Sequence, residues 1–211
     1  MQTCWQKRWD PMPAETSSEI VVQRGLPGAL RPQAARLYWL AFGGKLGLVM
    51  GPESRALRYL EATLRADHAF VALQGDRLVG IAGFKTPSGS FAGGTLAEMR
   101  AAYGVIGAAW RSWLLSRLSQ EVDNRRFLID GICVAPDQRG RGIGSLLIEA
   151  LCDEGLRRGY EEIRLEVIDT NWRARSLYAR RGFAVVKSEP IGLLRWIFGF
   201  AAATTMVRRL V

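Results

Sequence analysis

Apolar runs of strand length alternate along this chain with longer segments whose apolar residues recur at helical spacing, and that alternation predicts most of its elements. Residues 20–23 form a short apolar strand, after which Pro27-Gly28 turns the chain into a helix over 32–42 carrying Ala35, Leu37, Trp39, Leu40 and Ala41 as a broad stripe. Pro52 opens a second helix over 52–65, with Leu57, Leu60 and Leu64 on one face. Residues 68–73 and 77–84 are β-rich, and Gln74-Gly75-Asp76 between them is a hairpin signal. Beyond a Gly/Ser loop at 87–94, Met99, Tyr103, Ile106, Trp110 and Trp113 recur at alternating steps of four and three, which predicts a helix over 97–118 with that stripe buried. A strand over 127–134 ends at Ala135-Pro136, a helix covers 145–158, and 162–168 alternates as a strand. Asn171 begins a short helix over 172–181 that Gly182 closes, and 184–186 and 204–209 supply two last strands. This order predicts an α/β fold, a single mixed central sheet of about seven strands with helices on both faces.

A chain of 211 residues, 48% hydrophobic and 23% charged, has enough apolar material for one domain, expected over 19–211. Residues 1–18, with Pro11 and Pro13 and no apolar period, are expected as a loosely held tail without a signal or transit peptide. The longest apolar run, 191–203, is broken by Arg195 and Gly199 and falls short of the roughly 20 residues a membrane span needs. Three cysteines, two of them (Cys133, Cys152) inside apolar patterns, point to reduced thiols and a cytoplasmic setting. His68 has no partner at metal-ligand spacing, so no metal site is expected. The net charge of +9 is mostly Arg scattered over every predicted helix, which predicts no nucleic-acid patch and a field favourable to an anionic cofactor.

The candidate chemistry sits at one junction. Arg139-Gly140-Arg141-Gly142-Ile143-Gly144 lies between a strand and the helix that Ser145 continues, and a turn without side chains there lets an anion reach backbone N–H groups at a helix N-terminus. A pyrophosphate is the natural guest. The P-loop reading lacks its Gly-Lys-Ser/Thr, and a dinucleotide-binding domain would need more chain than the roughly 65 residues that follow, although Asp169 sits near the place of a ribose ligand.

Val134-Ala135-Pro136, then Arg139-x-x-Gly142-x-Gly144, then Asn171, Ala174, Leu177-Tyr178 and Gly182-Phe183, resemble the GNAT superfamily of acyl-CoA-dependent N-acetyltransferases. The specific match runs over 130–183, and the order of elements extends the resemblance to roughly 20–210; the helix 97–118 and the apolar segment after Pro190 depart from the minimal pattern. The resemblance implies acetyl-CoA as co-substrate and direct transfer of its acetyl group to a primary amine of a small molecule or peptide. The alternative is a silent CoA-binding sensor or interaction module.

The resemblance also implies roles for particular residues. Arg139, Gly140, Arg141, Gly142, Ile143, Gly144 and Ser145 would hold the pyrophosphate, and Ile132, Cys133 and Val134 would pair with the pantetheine arm where their strand splays from the next. Val134 N–H is a candidate oxyanion donor. Asn171 caps its helix and would touch the arm, and Tyr178 would protonate the departing thiolate. Gly131 is either the mark of a bulge that opens the sheet or a packing glycine. Asp130, expected by alternation on the side of Ile132 and Val134 and opposite Cys133, is the candidate base, with Glu166 and water as rivals. Cys133, with no histidine nearby in sequence, is expected as a core thiol and not an acyl carrier. The acceptor is expected beside aromatic residues (Trp39, Phe42, Phe91, Tyr103, Trp110, Trp113, Trp196, Phe198 and Phe200), a surface that also suits a homodimer.

Overall fold

The structure, a computed structural model, describes residues 19–116 and 125–210. The expected tail at 1–18 and the last two residues of the expected helix 97–118 lie outside the described residues. In chain order the elements are β1 (Ile20–Arg24), α1 (Arg31–Met50), α2 (Glu53–Thr63), β2 (Ala69–Gln74), β3 (Arg77–Thr86), β4 (Gly89–Ser90), α3 (Leu96–Ser116), β5 (Arg126–Val134), α4 (Ile143–Arg157), β6 (Glu162–Ile168), α5 (Trp172–Arg180), β7 (Ala184–Pro190), α6 (Arg195–Phe198) and β8 (Ala202–Arg209). Seven strands run in the order β1-β2-β3-β5-β6-β8-β7, with two-residue β4 paired to β3 off that path. Every pairing is antiparallel except β5 with β6.

The sheet buries both faces. Ile143, Leu147, Ile148 and Leu151 of α4 pack with Phe70, Phe84, Phe127, Ile163 and Leu165 on one face, and α5 adds Leu177 and Tyr178 at its margin. On the other face Ala34, Ala35 and Leu37 of α1 and Leu60 of α2 cover Val71, Ile81 and Cys133. Side chains of this size contribute about 1.5–3 kcal/mol each when fully buried, so the two layers fix the sheet between them. A third cluster joins the end of α1 (Val49, Met50) to α2, α3 and α6 through Tyr59, Met99, Tyr103 and Phe198.

Two elements depart from the sequence pattern. α1 runs eight residues beyond the expected end at Phe42, straight through Gly43-Gly44. A Cβ on Gly43 would stand 2.8 Å from the Trp39 ring, so here the glycine admits a neighbouring indole and does not end the helix. α3 is broken at Gly104, whose φ of +71° and ψ of 174° lie outside the helical region. The break resets the helical face. Met99 and Tyr103 before it are buried as the period predicts, while beyond it Ile106 (85% exposed), Trp110 (42%) and Trp113 (59%) face outward and Ala108 and Leu114 turn inward. The five-residue stripe therefore does not exist as one buried face.

Candidate active site

β5 leads through a 3-10 turn, Pro136–Gln138, into the glycine junction. Gly140 and Gly142 both take φ of +82°, a conformation that side chains other than Gly disfavour, and nothing lies within 4 Å of where their Cβ atoms would be. Gly142 is the N-cap of α4 and offers no capping side chain, so the helix begins with its amides open. Ser145 N–H donates to the Gly142 carbonyl at 2.9 Å, and among the described residues no backbone N–H from Arg139 to Gly144 has a backbone acceptor. Arg139 Nε reaches the Val134 carbonyl at 3.4 Å, and Arg141 bonds to Gln138. Ser145 is occupied inside the protein, since its Oγ accepts from Arg181 Nε at 3.0 Å. Gly144 serves packing: a Cβ there would stand 3.1 Å from Leu177 Cδ2 of α5. The result is an exposed turn of N–H donors, flanked by Arg139 and Arg141, at a helix N-terminus.

Immediately before the cradle the sheet opens. β5 pairs with β6 only at Arg126, Phe127 and Leu128, and the six residues from Ile129 to Val134 have no partner on that side. Ala135 N–H donates to the Val79 carbonyl of β3 at 2.9 Å, so by antiparallel alternation the main-chain groups of Val134 and Ile132 point away from β3 into the gap. A cavity of about 800 Å³ fills the opening, walled by the second half of α1, by β6 and by the end of β7.

Asp130 stands at the mouth of this split, but not on the face that alternation gives it. The β3–β5 register jumps from Gly83↔Gly131 to Phe84↔Ile129, so Asp130 is the extra residue of a β-bulge. Its Oδ2 accepts from Ser90 Oγ at 2.7 Å and Ala92 N–H at 3.0 Å, on the side where Phe91 and Cys133 pack, whereas Ile132 and Val134 pack toward α4. The bulge thus turns Asp130 toward α1 and the cavity. Gly131, beside it, faces Phe42 and Tyr38, and a Cβ would come within 3.0 Å of Phe42 Cζ, so close packing also demands glycine there.

Tyr178 of α5 reaches the cavity from the opposite face, its ring centroid 5.9 Å from that of Phe183. Burial, with a smaller contribution from Cys133, pushes its phenol up to about 12. Burial likewise lifts the Cys133 thiol to about 12, so this cysteine is a protonated core side chain and not a nucleophile. Asn171 caps α5, its Oδ1 accepting from Ala174 N–H at 3.3 Å, and also lines the cavity. Glu166 projects from β6 into the same space with its Oε1 on Arg164 Nη2 at 2.7 Å.

Residues 32–183 match the acetyltransferase (GNAT) family, a stretch that takes in the helices over the cavity, the split, the cradle and Tyr178. This chain belongs to that family. Similar proteins include thialysine N-epsilon-acetyltransferase of Bos taurus, 40% identical over 58 residues, which are 28% of this chain and 34% of the relative. Streptothricin acetyltransferase of Streptomyces lavendulae is 43% identical over 61 residues, 29% of this chain and 32% of the relative. The matched segment spans about a third of the length of either relative. A Salmonella typhimurium protein solved with its cofactor acetyl-CoA superposes with a TM-score of 0.56 at 14% identity over 91% of this chain and 94% of its own, a likeness of fold.

Within this GNAT fold the aromatic residues expected near the acceptor divide. Phe42 and Phe200 line the cavity; Phe91, Tyr103 and Phe198 are buried in the clusters behind it, Trp39 packs between two of them, and Trp110, Trp113 and Trp196 face outward. Cavity residues that escaped the sequence reading include Tyr38, Lys45, Arg164 and Glu189. Lys45 lies beyond the glycine pair, past the expected end of its helix; Arg164 alternates with buried Ile163 and Leu165, a period that marks the open face of β6 but not what faces it. His68 is buried, with Nε2 3.0 Å from Thr86 Oγ1, and no group of three or more metal-ligating side chains gathers among the described residues.

Proposed function

We propose that this chain transfers an acetyl group from acetyl-CoA to a primary amine by direct attack, with the split between β5 and β6 as the reaction site. The observation that carries this reading is the continuity of a turn of open N–H groups at 139–144 with an unpaired strand edge and a cavity of about 800 Å³. The fit is physical: a diphosphate needs clustered N–H donors beside a positive helix end, and an amide-bearing arm needs an open strand edge. Relatives named for acetylating thialysine and streptothricin support an amine acceptor.

Acetyl-CoA supplies an activated acyl group as a thioester. For this chain's own residues, the N–H groups of Gly140, Arg141, Gly142, Ile143 and Gly144 hold the pyrophosphate, with Arg139 and Arg141 adding positive field. Ser145 shapes the turn through its bonds to Gly142 and Arg181. Ile132 and Val134 present their main-chain groups to the pantetheine arm, Cys133 between them packs the strand, and Asn171 fixes the start of α5 beside the arm. Val134 N–H is the donor placed for the oxyanion. Asp130, held by Ser90 and Ala92, takes the proton of the incoming amine, with Glu166 as the second carboxylate in reach of the cavity. Tyr178 gives its proton to the departing sulfur. Burial that pushes the phenol up to about 12 keeps that proton on Tyr178 until a thiolate is there to take it. Placement of amine and thioester together contributes on the order of 7–11 kcal/mol.

The test is a transfer assay with acetyl-CoA and a panel of primary amines, read as acetylated product by mass spectrometry and as released thiol. Acetylated amine is the expected result. Tight acetyl-CoA binding with no product from any amine would instead identify a silent CoA-binding module.

A further inference from the structure

Five ionisable side chains besides Tyr38 and Tyr178 line the cavity: Lys45, Asp130, Arg164, Glu166 and Glu189. The three carboxylates have partners in the fold. Asp130 accepts from Ser90 and Ala92, Glu166 from Arg164, and Glu189 pairs with Lys187 at 2.7 Å. The two cations are left short. Among the described residues Lys45 makes no ion pair or hydrogen bond; its ammonium lies 5.3 Å from the Phe42 centroid. Arg164 spends Nη2 on Glu166, while its Nε is buried with no hydrogen-bond partner. A positive group withdrawn from water seeks an anion, so a half-buried ammonium with no counter-ion, lining the same cavity as a guanidinium that gives only Nη2 to Glu166, suits a guest that carries a carboxylate. Burial holds the Lys45 amine below the ordinary lysine value, the cost of keeping it without a counter-ion.

The guest must also present an amine to the opposite sign of charge. We infer that the acceptor is a small amphoteric amine, an amino-acid-like molecule whose carboxylate is received by Lys45 and Arg164 while its amine faces Asp130. The inference rests on the acetyl-transfer reading of the cavity. A simple polyamine would leave Lys45 without a counter-ion and meet both cations as like charges, whereas a carboxylate forms charge-assisted bonds to each. Tyr38, Phe42 and Phe200 provide an apolar wall for the stem between the two charged ends.

The experiment uses the full chain, acetyl-CoA and acceptors in matched pairs that differ only by the carboxylate: L-lysine against 1,5-diaminopentane, and L-phenylalanine against 2-phenylethylamine. The carboxylated member of an acetylated pair should show at least tenfold higher kcat/KM, and that ratio should fall toward one in Lys45→Gln and in Arg164→Gln, each checked for folding by its melting temperature. Equal kcat/KM within the pairs overturns the inference. So does a preference that survives both substitutions, or acetylation confined to amines without an anionic group. Turnover without carboxylate discrimination leaves the acetyl-transfer reading standing; absence of both acetyl-CoA binding and turnover removes that reading and this inference together.

Discussion

Tyr178 is held protonated by its burial, and its hydroxyl is the one group on α5 that the proposed chemistry needs. Tyr178→Phe removes only that hydroxyl and keeps the ring against Phe183. We expect kcat to fall about 10²-fold with the acetyl-CoA Kd within a few-fold, the usual contribution of a positioned proton donor. Turnover assays beside calorimetry check it: equal kcat in the two forms would end the role, and a collapse in melting temperature would show that the hydroxyl serves packing. Asp130→Asn, compared with Glu166→Gln, apportions the base. The bulge aims Asp130 into the cavity, so its replacement should lower acceptor kcat/KM by about 10² while Glu166→Gln costs less. The reverse order would move the base to β6.

At the scale of elements, neighbouring residues on the second half of α3 make opposite predictions. Leu114 is buried in the third cluster, so Leu114→Ala should cost about 2–5 kcal/mol by leaving a cavity. Trp113 is exposed, so Trp113→Ser should change stability by no more than about 0.5 kcal/mol. Denaturant unfolding of both variants measures this; comparable losses would mean that the break at Gly104 does not turn the helix as described. The same element shows where sequence reading reaches its limit. The strands, α2, α4 and α5 were legible because their periods are local and their caps are ordinary residues: Asn171 on α5, glycine at the head of α4. The cradle was legible for the same reason. What failed was long-range: whether Gly43 ends a helix depends on Trp39 packing against it, and whether Gly104 breaks one depends on what lies beneath each half. The side on which Asp130 projects was lost to a bulge: Gly131 marked one as a possibility, but the hydrophobic pattern does not tell which residue is the extra one. β7 ran four residues past its expected end because pairing with β8, and not its own exposed side chains, sustains it.

The whole molecule withdraws several weak acids from water, and this sets its response to alkali. Burial lifts Cys133 to about 12 and Cys152 to about 11 from 9.0, Tyr59 and Tyr178 to about 12 from 10.0, and Tyr38 well above its ordinary value. An unfolded chain sheds these protons from about pH 9 upward while the folded chain keeps them to about 11 or 12, so in that window the unfolded state binds fewer protons and stability falls as pH rises. The contribution is fully present below about pH 8. Scanning calorimetry from pH 7 to 11 should therefore show a flat melting temperature to about 8.5 and a steady decline beyond it; a melting temperature unchanged to pH 11 would contradict the burial of these groups.

The central claim is that the glycine turn at the head of α4 receives the pyrophosphate of acetyl-CoA and thereby presents the thioester to the split. Isothermal calorimetry of acetyl-CoA on the wild type and on Gly142→Asp tests it most directly. The substitution would put a carboxylate into the space now open above the turn, at a cost of about 1–2 kcal/mol for the positive φ of this position and hence a few degrees of melting temperature. The account predicts micromolar binding by the wild type and no measurable heat from a variant that still melts cooperatively. Equal affinity in the two proteins would contradict it.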